Sequence, residues 1–305
     1  MTGRTHGQPG APITFGLKVA SWIDELQRHL DRFEQGSERW LVAQLGGAVG
    51  TLAFFGDLGV PLRREFAAEL GLRDPTVPWL SARDRVGEFG SVVSMTATSL
   101  ARLANEVYSL QRAEIGEVGE ATTATVVGSI TMPHKRNPES SEQVVTLARL
   151  ARAQASVLVD SMVHEHERDA RGWKAEWVAV PEICHYAGAA LALTRQLVAG
   201  LEVHAEVMAA NLDAVGATAS EQALRELAPE LGKHRAQAML HEAYRSAGAT
   251  GRPLDDFLPE GVTIGAPDRH DVGAAAAMTM AVVESTRARR VLRSGGGLAF
   301  TAWAT

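Results

Sequence analysis

Three observations predict an all-α protein, built as a bundle of long helices with a small C-terminal helical domain. Alanine and leucine dominate, β-branched runs are short, and long stretches repeat apolar residues with a period of 3.6 rather than 2. Four predicted helices, near residues 12–35, 84–112, 140–165 and 182–210, exceed the globular average of roughly 11–12 residues. Helices of that length with apolar stripes call for a bundle, and stripes on more than one face call for partner subunits. Residues 1–215 are therefore predicted as a central bundle domain. Residues 216–305 change character, with shorter helices separated by Gly/Pro loops, and are predicted as a second, smaller helical domain.

The elements follow in chain order. Residues 2–9 are too rich in glycine and proline for a helix interior. A helix is expected to start near Pro12 and to run to about Gly36, because Phe15, Val19, Trp22, Leu26 and Leu30 fall at i, i+3/i+4 spacing. Gly46-Gly47-Ala48-Val49-Gly50-Thr51 reads as a tight turn between helices; its spacing is wrong for a dinucleotide fingerprint. A short helix is expected over 61–72. The helix near 84–112 carries Phe89, Val92, Val93, Thr96, Leu100, Leu103, Val107 and Leu110 along one side. Residues 112–127, with Glu114, Glu117 and Glu120, form a polar approach to the next segment. The last long helix ends near Asn211. Three shorter ones follow at about 219–228, 232–247 and 271–292, and the tail at 293–297 is expected to fray.

Composition narrows the function. The 305 residues carry 30 basic and 36 acidic side chains, a formal charge of −6, which offers no basic field for nucleic acid. No apolar run approaches a membrane span and no signal peptide opens the chain, so a cytoplasmic location is expected. Cys184, the only cysteine, excludes an internal disulfide and suits a reducing compartment; it is expected to be a small buried hydrophobe. His164-Glu165-His166-Glu167 does not read as a metal site. Residues two apart on a helix point about 200° from each other, and the pattern is not HExxH. No metal or cofactor is predicted.

The stretch richest in chemistry is Gly128-Ser129-Ile130-Thr131-Met132-Pro133-His134-Lys135-Arg136-Asn137-Pro138, followed by Glu142. Gly128 frees the backbone, and Pro133 and Pro138 stop a helix from running through. A curled loop over 128–138 would bring Ser129 and Lys135 to one small anion, with Lys135 as a point charge and Asn137 as a directional donor. By composition alone an ordinary basic surface loop fits as well. Glu142 falls in the first turn of the following helix, whose dipole favours an ionised carboxylate.

The run GSxxMPHKRNP resembles the signature loop of the fumarase/aspartase superfamily, and Thr5, His6 and Gln8 fall in a second resembling segment, GRTHGQPxxPxTFG. The resemblance implies that Ser129 takes a carbon-bound proton, that Lys135 and Asn137 hold a substrate carboxylate, and that His6 pairs with Glu142. Thr5 and Gln8 would contact substrate. The family's second loop serine is Ile130 here, so a polar contact there is missing. The stretches PWxxARDRxxEF and EHERDARGWKAEWVAVPEIC are similar to the 3-carboxy-cis,cis-muconate cycloisomerase branch. Arg83 or Arg85 would then reach a carboxylate, or the Asp84/Arg85 cluster is simply surface. Trp173 and Trp177, four apart, are expected to pack on one helix face, and Thr51 is a weaker site candidate near its glycine turn.

What the resemblance implies is an all-α enzyme that acts on a small polycarboxylate without a cofactor. It would be a homotetramer whose active sites draw on several subunits. The expected activity is of the cycloisomerase type, with C–O bond making or breaking. The alternatives are another superfamily lyase that acts on adenylosuccinate- or nitrosuccinate-like C–N substrates, and a catalytically incomplete scaffold. Family members carry a further domain before the GRTHGQ segment, so the chain is expected to be a shortened form.

Overall fold

In the computed structural model the described residues are 1–121, 132, 135–215, 219–259, 262 and 271–295. The chain divides into two compact units, Trp22–Val203 and Met1–Ser21 with His204–Thr305.

The Trp22–Val203 unit is organised by three long helices, α3 (Asp84–Leu110), α4 (Glu139–Asp160) and α5 (Ala170–Ala199), which pack on one another. Their shared core is made of Val93 and Ala97 from α3, Ala148, Ala151, Ala155 and Leu158 from α4, and Ala179 and Ile183 from α5. The alanines let the helix backbones approach closely, and Leu158 fills the space that remains. Gly90 belongs to the same fit, since a Cβ there would lie 2.6 Å from a Leu158 methyl carbon. Helix α1 (Phe15–Trp40) adds Phe33 and Trp40, and the Trp40 ring meets Phe89 edge-on at 5.7 Å. Short helix α2 (Gly59–Glu69) lies in the same unit, as does a two-residue antiparallel pair, β3 (Val118–Gly119) with β4 (Glu202–Val203).

The other unit opens with a hairpin of β1 (Thr2–Thr5) and β2 (Gln8–Pro12), where the sequence predicted only a non-helical segment. His6 and Gly7 form its two-residue loop with φ of 52° and 74°. Positive φ at both central residues is what a tight hairpin turn of type I′ requires. Helix α6 (Ala205–Val215) packs on β1, and α7 (Ala219–Leu231) packs on α8 (Lys233–Thr250) around Ala223, Ala236, Leu240 and Ala243. Helix α9 (Ala275–Gly295) completes the described residues. The boundary between the two compact units falls at 203/204, with α6 and the first residues grouped with the C-terminal helices.

Several expectations need correction. Helix α1 starts at Phe15 rather than Pro12, because the Thr14 hydroxyl accepts the Leu17 amide at 3.0 Å and caps it there. Helix α5 begins at Ala170 and passes through Pro181, which costs one backbone bond to Trp177 but does not break the helix. It ends at Ala199, so 182–210 is not one helix. Gly200 follows it, where a Cβ would come within 2.8 Å of Ala121. Trp173 donates from its indole to the Leu80 carbonyl at 3.3 Å, whereas Trp177 is 69% exposed and the two do not share a packed face. Cys184 is exposed on α5 rather than buried. Arg293 and Gly295 lie within α9, so the tail is helical to Gly295, and 296–297 lie outside the described residues.

A polar cluster joins α1 to α3. His29 Nε2 lies 2.7 Å from Ser99 Oγ, which donates to the Glu25 carboxylate, itself paired with Arg102. Burial, with Arg32 and Arg28 nearby, holds the His29 pKa below 6.5 despite Glu25. The unfolded chain therefore takes up this proton first as pH falls. His29 contributes stability above pH about 6.5 that is lost as pH drops below that value. Burial raises the Glu25 carboxyl, but Ser99 and Arg102 outweigh it and leave it below its ordinary value, so its contribution is lost at lower pH. Urea midpoints measured from pH 8 to 5 are expected to fall below pH about 6.5, and to fall less steeply in His29→Gln. An equal slope in both proteins would exclude His29 as the source.

Candidate functional site

The predicted site residues divide between the two units. Thr5, His6 and Gln8 are exposed on the β1–β2 hairpin of the unit that contains the C-terminal helices. Arg83, Lys135, Asn137 and Glu142 belong to the Trp22–Val203 unit. Ser129, with Gly128, Ile130, Thr131, Pro133 and His134, lies outside the described residues.

Lys135, Arg136 and Asn137 lead directly into α4, and their roles separate. Arg136 holds both carboxylate oxygens of Glu202 at 3.0 Å and donates to the Glu120 carbonyl at 2.7 Å. That pairing raises its already high pKa. Lys135 is exposed, and among the described residues no carboxylate pairs with it; its amide donates to the Met132 carbonyl at 2.9 Å. Asn137 beside it is half-buried. Arg136 is thus tied to Glu202 and Glu120, whereas Lys135 has no carboxylate partner among the described residues. Glu142 stands exposed one turn into α4, with its amide bonded to the Pro138 carbonyl at 3.0 Å.

Arg83 has a different environment from the one the motif suggested. Its fork meets the Glu176 carboxylate, with Nε 2.8 Å from Oε1, and the two side chains are only 10% and 6% exposed. The guanidinium also lies 4.7 Å from the centre of the Trp79 ring. Arg83 therefore joins α3 to α5, while Arg85 donates to the Arg39 carbonyl on the surface.

The glycine turn and the EHER stretch, far apart in sequence, come together. Arg168 donates to the Gly47 carbonyl at 2.6 Å and sits 5.0 Å from the centre of the Trp173 ring. Gly47 and Gly50 have φ of 67° and 92°, which side chains rarely adopt, and Thr51 is exposed at the end of that turn. Asp169 caps α5 by accepting the Arg171 amide at 3.0 Å, and bonds from Arg171 hold its carboxyl well below the usual carboxylate range. Among the described residues no cluster of three or more His, Cys, Asp or Glu side chains is arranged to hold a metal, and no helix is long and apolar enough to cross a membrane.

The sequence does not reveal the partners of two residues, Glu176 and Glu120. Glu176 is 93 residues from its partner, and nothing local marks it. Glu120 had a local signal in Pro138, which stands at the cap of α4 and offers no capping side chain. An acceptor had to come from elsewhere.

Comparison with known proteins follows the same lines. Residues 1–152 match the family model described as lyase. The chain is 42% identical over 261 residues to N-acetyl-S-(2-succino)cysteine lyase of Dickeya dadantii (strain 3937), covering 85% of this chain and 58% of that protein. It is 39% identical over 267 residues to 3-carboxy-cis,cis-muconate cycloisomerase of Pseudomonas aeruginosa, covering 87% and 58%. The crystal structure of 3-carboxy-cis,cis-muconate lactonizing enzyme from Pseudomonas putida superposes with a TM-score of 0.81 at 33% identity, covering 94% of this chain and 66% of that one. The chain thus spans about 58% of the length of these two curated relatives. With its three-helix core, its signature loop and these relatives in agreement, the chain belongs to the fumarase/aspartase superfamily of lyases.

Proposed function

We propose that the chain serves an elimination in which a proton leaves the carbon next to a carboxylate and a heteroatom leaves the neighbouring carbon. The observation that carries this reading is the division of labour at 135–137. The loop's guanidinium is tied to Glu202, while its ammonium is exposed with no carboxylate partner among the described residues, two positions before the half-buried Asn137 that leads into α4. A carboxylate bound by Lys135 and Asn137 is stabilised further as it gains charge on proton loss. Ser129 is the base, and His6, oriented by Glu142, serves near the leaving atom or the carboxylate. Thr5 and Gln8 contact substrate; Arg83 acts there only if its pair with Glu176 opens.

Two leaving atoms have support. The EHER…W.AEW stretch favours the cycloisomerase reading, with a lactone C–O bond made or broken. The 42% identity to a succinocysteine lyase favours a C–S bond in a succinyl thioether. Both substrates are small polycarboxylates. The chain is read as a cytoplasmic homotetramer with sites shared between subunits, and the exposed apolar residues along α4 and α5, among them Leu150, Val157, Trp177, Val178 and Leu191, support the association of subunits.

The test is an assay of the full chain with 3-carboxy-cis,cis-muconate and with N-acetyl-S-(2-succino)cysteine, following lactone formation and thiol release. Turnover of neither, nor of adenylosuccinate, would overturn the reading. With whichever substrate turns over, Lys135→Met is expected to raise KM about 10- to 100-fold, the loss of a charged hydrogen bond worth roughly 1.5–3 kcal/mol. An unchanged KM would remove Lys135 from the carboxylate.

A further inference from the structure

We propose that Glu120, assisted by Gln111, is a positioning residue that sets the anion-holding end of the signature loop by capping α4 from outside the helix. The proposal rests on the reading of Lys135 and Asn137 as the carboxylate holders.

The first amides of any helix lack an intrahelical acceptor, and a side chain at the cap position usually supplies one. Pro138 occupies that position in α4 and cannot. Instead, Glu120 accepts the Ser140 amide at 3.0 Å on one carboxylate oxygen and the Ser141 amide at 2.9 Å on the other. The Ser141 hydroxyl donates to that second oxygen at 2.5 Å. The charge sits where the helix dipole favours an anion, and both Glu120 and Ser141 are buried.

The same residue is tied at its backbone. Its amide donates to the Gln111 side-chain carbonyl at 2.7 Å, and its carbonyl accepts from Arg136 at 2.7 Å. The Gln111 amide group in turn donates to the Arg136 carbonyl at 3.3 Å. Glu120 and Arg136 are 16 residues apart in sequence, yet one glutamine side chain bridges their backbones. Strand β4 completes the frame, since Glu202, which holds Arg136, pairs through its backbone with Gly119. Lys135 and Asn137 flank Arg136, so their backbone positions follow from this frame. Closing the two stems also removes chain entropy that would otherwise oppose any fixed loop geometry.

A residue that fixes geometry acts on rate more than a residue that only adds stability, because misplacement of about 1 Å can cost roughly 10²-fold. The test measures backbone amide exchange over residues 135–142 in the full chain, with thermal midpoint, kcat and KM in parallel. Glu120→Ala is expected to speed exchange at Ser140 and Ser141 about tenfold, the upper part of the range for a lost cap. It should also lower kcat about 10²-fold and raise KM. Glu120→Gln keeps one acceptor, towards Ser141, and should recover part of both effects. Asp74→Asn, which weakens the Arg63–Asp74 pair elsewhere in the unit, should lower the thermal midpoint and leave exchange at 135–142 and KM as they were.

Unchanged exchange in Glu120→Ala overturns the proposal, as does faster exchange with kcat and KM intact. A wild-type chain without turnover on any substrate overturns the functional reading instead, and the exchange measurement then decides on Glu120 alone.

Discussion

Ser129→Ala is expected to abolish turnover, with a loss of about 10²–10⁴-fold or more for removal of the general base. Serine is a weak base at neutral pH, so the assignment requires an environment that favours the alkoxide. Lys135, six residues on and unpaired among the described residues, is the available cation. Two outcomes follow if this is right. The alanine variant keeps its thermal midpoint, since one hydroxyl is removed and no core packing is lost. Lys135→Met then lowers kcat as well as raising KM, because it weakens both the carboxylate contact and the base. Turnover within about threefold of wild type in Ser129→Ala would end the assignment and leave His6 as the first candidate to test for proton transfer.

Arg83 and Glu176 give the largest expected effect on stability. Their side chains are almost fully buried and joined as a fork, between α3 and α5. Removal of either partner leaves an uncompensated charge inside the unit. Arg83→Met or Glu176→Leu alone is therefore expected to cost about 3–5 kcal/mol. For a unit of this size that corresponds to roughly 6–20 °C in thermal midpoint. The double variant should recover most of the loss, because two apolar side chains replace a pair whose desolvation is itself costly. Arg83 also caps its contact with Trp79, so recovery will be incomplete by about the 0.5–2 kcal/mol of a cation–π contact. A kinetic arm separates the motif-based role from the structural one. If Arg83 binds substrate, the double variant regains stability but keeps a raised KM; if Arg83 only joins helices, KM returns with the fold. Failure of the double variant to regain stability would show that the charges contribute more than their burial costs.

Several features were legible in the residues alone because their causes are local. The apolar period placed α3 and α4 within a few residues of their observed ends. The contrast of glycine-rich turns with alanine- and leucine-rich stretches was enough for the helical class. The proposed roles of Lys135 and Asn137 come from the same local source, residue types a few positions apart. Other features depend on neighbours distant in sequence. Pro181 looks like a helix boundary but sits inside α5, where the surrounding packing outweighs one missing backbone bond. Trp177 has the spacing of a core residue but faces outward, since nothing in the described unit covers that side of α5. Arg83 has the motif of a substrate contact, but its carboxylate partner stands 93 residues away. Sequence periodicity determines which side of a helix is apolar. Only tertiary contact decides which charge meets which, so Arg136 and Arg83 became structural ties while Lys135 has no carboxylate partner among the described residues.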